Sequence, residues 1–279
     1  QSFTHHSLEQ RVKNKLALQR EAGLRVDDKR PLMGIIGRMH TVRGYGQLVS
    51  LKAPILDSGQ AQLVILGEPE NRRYLDLLES WKTDWANTGW GQDGLPWIKI
   101  YSDFDEKIAR KIYAACDLFL IPALELPSGT QQYIAMHYGA VPVVHRTGAL
   151  YNSVEPYVTG QDLRALRGKG VGVGFAYEGN GTHFLQAVQA ALQLYHNDPK
   201  AWRDIQRHNM HEDYSWTEPA EKYLDLYDNA LRANRQPIPS GELLPRDAKA
   251  EGNERLLQAV REIDRLPGMH GRDIRYMLK

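Results

Sequence analysis

Short apolar runs and longer segments of helical spacing alternate along most of this chain. Runs at Leu32–Ile36, Gln62–Leu66, residues 97–101, residues 117–121, Val141–His145 and residues 170–175 have strand length. Between most of them lie segments whose apolar positions recur every three or four residues: 14–22, closed by Gly23, then 46–56, 71–81, 105–116 and 131–138. Short apolar runs suit strands buried on both faces, and helix-length connections between them are crossovers that keep the strands parallel. The pattern predicts an α/β fold with a doubly wound parallel sheet. Residues 182–196 carry Phe184, Ala187, Val188, Ala191, Leu192, Leu194 and Tyr195 on one wide stripe, so a helix there packs on the sheet.

Two regions break the rhythm. Residues 81–96 are rich in Trp, Gly and Asn and read as an expanded loop. Its tryptophans Trp81, Trp85 and Trp90, with Trp97 beyond, either pin the loop to its own domain, the commoner role of aromatics in long loops, or form a sugar-stacking platform. The Pro and Gly content of residues 235–241 reads as a linker. Beyond it, residues 253–266 place Leu256, Leu257, Val260 and Ile263 on one helical face, opposite Arg255, Glu262 and Arg265. A short isolated helix is marginal in water, so this one is expected to dock, either back on its own Rossmann-like domain or, as an interaction helix, on a partner. The chain thus divides into an N-terminal segment (1–12), a Rossmann-like domain (13–234) and a linker with an amphipathic helical extension (235–279).

Composition narrows the function classes. The 279 residues are 42% apolar and 25% charged, enough for one large or two small domains with a substantial core. Lys and Arg number 35 against 34 Asp and Glu, and no basic run is interleaved with aromatics, so nucleic acid is not an expected partner. A single cysteine, Cys116, excludes an internal disulfide and favours a reducing intracellular compartment, cytoplasm or plastid stroma. No apolar run reaches the roughly 20 residues that span a bilayer, and the first residues lack an apolar signal core. The absence of an initiator Met points to processing upstream. His5, His6, His40, His137, His145, His208 and His211 show no metal-ligand spacing, so neither a metal nor a cofactor is expected.

The candidate chemistry lies in three turns. The first is Gly37-Arg38-Met39-His40-Thr41-Val42-Arg43-Gly44, where a glycine leaves a strand end and two cations sit near a helix start that favours anions. The second runs Pro122-Ala123-Leu124-Glu125-Leu126-Pro127-Ser128-Gly129-Thr130-Gln131-Gln132, and the third is Arg146-Thr147-Gly148-Ala149-Leu150-Tyr151-Asn152-Ser153-Val154. Together with the opening segment from Asn14 to Leu24 and the Asp213-Tyr214-Ser215-Trp216 motif, they resemble the nucleotide-sugar-binding half of the bacterial glycogen synthase and plant starch synthase family. The resemblance covers residues 13–231. It implies a GT-B architecture, with the nucleotide-sugar donor held between two Rossmann-like domains of which this chain supplies the second.

What the resemblance implies for the site is uneven. Gly37, Arg38, Arg43, Thr147 and Gly148 correspond to positions that clamp or approach the donor diphosphate, although Arg43 stands where the family has Lys, and a guanidinium is larger and less adaptable than an ammonium. The family's Pro-Ser-Arg-Phe-Glu-Pro-Cys-Gly places an acid where this chain has Leu126. The second position of its Glu-x7-Glu pattern, often Tyr in glycogen synthases, is Ile134. Ala149 adds a methyl to a glycine pair, and Asn152 replaces an aspartate. No catalytic residue is therefore assigned. The expected function is a catalytically silent structural or interaction module with residual nucleotide-sugar binding. The alternative is the donor-binding half of an ADP-glucose-dependent glucosyltransferase. Expected partners are another protein or the missing N-terminal GT-B domain, with ADP-glucose or ADP as the small ligand.

Overall fold

The computed structural model describes residues 2–88 and 95–233. The chain divides after Tyr214 into one compact unit, Gln1–Tyr214, and a second, Ser215–Lys279. Seven strands of the first unit form one parallel sheet: β1 (Leu32–Ile36), β2 (Gln62–Leu66), β3 (Ile98–Tyr101), β4 (Leu118–Ile121), β5 (Val141–His145), β6 (Val154–Pro156) and β7 (Gly172–Tyr177). Their order is β3-β2-β1-β4-β5-β7-β6. The six predicted runs are all strands. β6 is an addition, since three residues ending in a proline offer no readable alternation.

Successive strand residues face opposite ways, and each face has its own core. Met33, Ile35, Leu63, Ile65, Leu120 and Val143 point to one side, where α2 (Arg72–Thr88), α6 (Gly181–Asn197) and α7 (Pro199–His211) contribute Leu78, Val188 and Ile205. Leu32, Ile36, Val64, Phe119 and Val144 point to the other, under α1 (Arg11–Glu21), α3 (Glu106–Ala115), α4 (Gln131–His137) and α5 (Gly148–Ser153). Each fully buried side chain of this kind stabilises the fold by roughly 1.5–3 kcal/mol. Helix α3 lies close on β1 because Gly34 has no side chain: a Cβ there would sit 2.7 Å from Ile112 Cγ2. At the amino end of the sheet, Asp117 accepts from Leu32 N–H at 2.9 Å and pairs with buried Lys15 at 2.8 Å, which fixes α1 to the strands.

Two stretches depart from expectation. Residues 46–56 are helical but not α-helical: Tyr45–Leu51 winds as a 3-10 helix and Lys52–Asp57 as a π turn. Pro54 has no N–H to continue a regular ladder there. Residues 81–88, read as loop, instead continue α2. Tyr74, Leu78, Trp81 and Trp85 follow helical spacing and are all buried, and Trp85 Nε1 donates to Asp57 Oδ1 at 2.7 Å. Trp97 is buried under the Arg30 guanidinium, 4.5 Å from its ring. These three tryptophans pin the fold and offer no sugar platform; Trp90 lies outside the described residues.

The described part of the second unit is α8 (Thr217–Ala233) and the residues leading to it. Trp216, Tyr223 and Tyr227 form a row of rings with centroids 6.2 and 6.3 Å apart. The interaction helix expected at 253–266, with Leu256, Leu257, Val260 and Ile263, lies outside the described residues. Among the described residues no helix is long and apolar enough to cross a membrane.

Candidate functional site

In an open parallel sheet, ligands bind beyond the carboxyl ends of the strands where the strand order reverses. Here the order reverses between β1 and β4. The turns after β1, β4 and β5 are the three singled out in the sequence.

The β1 turn leaves the strand through Gly37, at φ 148°, and folds against β2, with Gly37 N–H on Leu66 O and Met39 N–H on Glu68 O, both at 2.9 Å. Met39 is fully buried while Arg38 is exposed, so the anchored neighbour turns the guanidinium outward. His40 receives the Val42 N–H on Nδ1 at 3.1 Å and pairs through Nε2 with Glu70. Gly44, at φ 78°, closes the turn against β4: a Cβ there would sit 1.8 Å from Pro122 O. Arg43 is exposed beside it. Among the described residues neither Arg38 nor Arg43 has a carboxylate within ion-pair distance, which leaves two cations for an anionic ligand.

The β4 turn is held from several sides. Leu124 N–H donates to Val42 O at 2.8 Å, and Gln131 Nε2 reaches back to Ile36 O at 2.9 Å. Gln47 Nε2 donates to Pro122 O at 3.1 Å and receives the Tyr177 hydroxyl on Oε1 at 2.8 Å. Burial pushes the Tyr177 phenol well above its usual range, so it stays a donor. Within this frame Glu125 is exposed, whereas Leu126 is only 4% exposed and belongs to the core with Ala123, Ala135, Met136 and Leu150. Ile134 is exposed on α4.

The β5 turn leans on Leu126. Ala149 N–H donates to Leu126 O at 2.9 Å, and a Cβ on Gly148, at φ 48°, would sit 2.0 Å from that oxygen. Thr147 is half-buried at the start of α5, its hydroxyl making no cap, and Asn152 is exposed. Arg146 stacks on Tyr151, 4.3 Å from the ring. His145 Nδ1 lies 3.1 Å from Ala123 O.

The structure thus places Gly37, Arg38, Arg43, Leu126, Thr147, Gly148, Ala149 and Asn152 on adjoining segments at the carboxyl ends of β1, β4 and β5. Sequence reasoning missed the side chains that hold these turns together: Gln47, Gln131, Gln132 and Tyr177. Three amides and a phenol carry no spacing signal that reveals a partner. Among the described residues no group of three or more His, Cys, Asp or Glu is placed to hold a metal ion.

The chain is 34% identical over 237 residues to glycogen synthase of Streptococcus pneumoniae serotype 19F (strain G54), a match covering 82% of this chain and 44% of the relative. A second pneumococcal glycogen synthase, from strain CGSP14, matches to the same degree. The catalytic domain of starch synthase IV from Arabidopsis thaliana, bound to ADP and acarbose, superimposes with a TM-score of 0.69 at 27% identity, over 83% of this chain and 45% of that one. Sucrose-phosphate synthase from Thermosynechococcus elongatus, at TM-score 0.51 and 17% identity, shares the fold. No family model matches. The chain spans somewhat under half the length of the glycogen and starch synthases it matches. With the three turns assembled on a GT-B-type sheet, the chain belongs to the glycogen and starch synthase family and corresponds to the C-terminal half of its members.

Proposed function

We propose that this domain keeps an anion-binding crevice but has lost the chemistry of glucosyl transfer, and that it serves as a structural or interaction module. The observation that carries this reading is that the middle of the β4 turn presents Leu126, an aliphatic side chain packed into the core. An isobutyl group accepts no hydrogen bond from a sugar hydroxyl and stabilises no positive charge at a reacting carbon. Ala149, whose N–H donates to Leu126 O, adds a methyl group, and the exposed Asn152 carries no charge. Gly37, Arg38, Arg43, Thr147 and Gly148 are the residues assigned to the remaining diphosphate site. Its candidate ligands are ADP and ADP-glucose; the starch synthase IV neighbour was solved with ADP.

A second reading, the donor-binding half of an ADP-glucose-dependent glucosyltransferase, is favoured by the share of its relatives that the chain spans. In both readings residues 235–279 are assigned to assembly, through Leu256, Leu257, Val260 and Ile263, with a protein partner or an N-terminal GT-B domain. Calorimetric titration with ADP tests the retained site. Weak binding is expected, falling by about tenfold or more in Arg38→Ala, because hydrogen bonds to charged groups contribute roughly 1.5–3 kcal/mol. No heat from the unaltered chain at millimolar ADP would sink the anion site and the transferase reading together.

A further inference from the structure

We infer that the turn between β6 and β7 is a docking surface for an extended acidic segment of a partner protein, whose carboxylates meet Arg164, Arg167 and Lys169. The inference rests on the interaction-module reading above and not on the diphosphate site.

Although it lies in a connection between strands, this turn is fixed at both ends. Leu163–Leu166 winds as a 3-10 helix capped by Asp162, whose Oδ1 accepts Arg164 N–H at 3.0 Å, and Leu163 and Leu166 pack half-buried against the core. Just past α7, Glu212 is 4% exposed and accepts Gly168 N–H on Oε1 at 2.9 Å and Gly170 N–H on Oε2 at 3.1 Å. Burying a carboxylate is costly unless hydrogen bonds satisfy it, and here both oxygens are committed to the backbone of the turn. The two glycines supply the conformation this needs, with φ of 71° and 64°.

The same winding sets the cations in line. Residues three apart eclipse in a 3-10 helix, so Leu163 and Leu166 share the inner side. Arg164 and Arg167, joined by Arg167 N–H on Arg164 O at 3.3 Å, share another. A rise of about 2.0 Å per residue spaces the two arginines about 6 Å apart along the axis. Lys169 follows beyond Gly168. All three cations are exposed, and among the described residues none has a carboxylate within ion-pair distance. Two like charges held on one side repel each other until anions reach them. Side chains on one face of an extended chain recur about every 6.6–6.8 Å, so carboxylates at alternate positions meet the two arginines one to one. A nucleic acid also repeats its charge, but it binds single-stranded through aromatic side chains that stack its bases, and residues 161–170 contain none.

Fluorescence anisotropy of the full chain with a labelled peptide, carrying glutamate at three alternate positions between glycines, tests the inference at low salt. Binding is expected, weakened about tenfold or more by the double change Arg164→Glu and Arg167→Glu. The charge-matched control Lys13→Glu and Arg20→Glu, on α1, is expected to leave it unchanged. Arg164→Gln with Arg167→Gln repeats the test without added repulsion, and an unchanged melting temperature shows that each variant is folded. Equal weakening by the control means that only net charge is read, which overturns the inference. Displacement of the peptide by hexathymidylate at equal concentration assigns the turn to nucleic acid and overturns it too. Absence of peptide binding to the unaltered chain removes this docking surface alone, because the module reading falls only to glucosyl transfer, which the peptide does not measure.

Discussion

Arg38, Arg43 and Leu126 show what sequence spacing reveals at the scale of single residues and what it does not. The two arginines were legible because a glycine-flanked turn after a buried strand places its polar residues outward, and the structure leaves both exposed. The burial of Leu126 was not legible. Side chains in an irregular turn follow no period, and only the packing of Leu126 with Ala135, Met136 and Leu150 shows the direction. Cys116 illustrates a burial effect with a measurable consequence. Burial pushes its thiol from the ordinary 9.0 up to about 12. Between those values the folded chain keeps a proton that the unfolded chain releases, so stability falls as pH rises. Burial pushes the phenols of Tyr195 and Tyr214 upward as well, extending the loss above their ordinary 10.0. The thermal midpoint is expected to decline from a pH of about 9 upward, and Cys116→Ala should move the onset toward about 10. A midpoint that stays flat across this range would count against burial of these groups.

At the scale of elements, strands with continuous apolar runs were read with bounds correct to within two residues, because burial on both faces leaves little room for other patterns. Helix α2 was cut short because Gly and Asn downstream suggested a loop, although Tyr74, Leu78, Trp81 and Trp85 already spelled out a helical stripe. The winding of residues 45–57 was hidden for the opposite reason: the apolar spacing fits a helix, and Pro54 alone marks the irregularity. The β1 turn depends on Gly44, whose positive φ and contact with Pro122 O leave no room for a methyl group. Gly44→Ala is expected to push the β1 turn off the β4 turn, destabilising the fold by about 1–3 kcal/mol and abolishing ADP binding. Chemical denaturation and calorimetry check the two effects. An unchanged ADP affinity in this variant would mean that the turn does not form the ligand site.

At the scale of the whole molecule, the sheet and its three turns form one unit and the chain beyond Tyr214 another. If residues 235–279 serve assembly, truncation after Asn234 should abolish association with a partner and leave the melting temperature unchanged. A large fall in melting temperature without altered association would return that segment to the chain's own fold. The central claim is that the crevice binds without transferring. It is tested most directly by joining this chain to the N-terminal half of the pneumococcal glycogen synthase and measuring radiolabelled glucose passed from ADP-glucose to glycogen, with ADP binding as the control for a folded site. The account predicts ADP binding with no incorporation above a protein-free control; incorporation clearly above that control would contradict it.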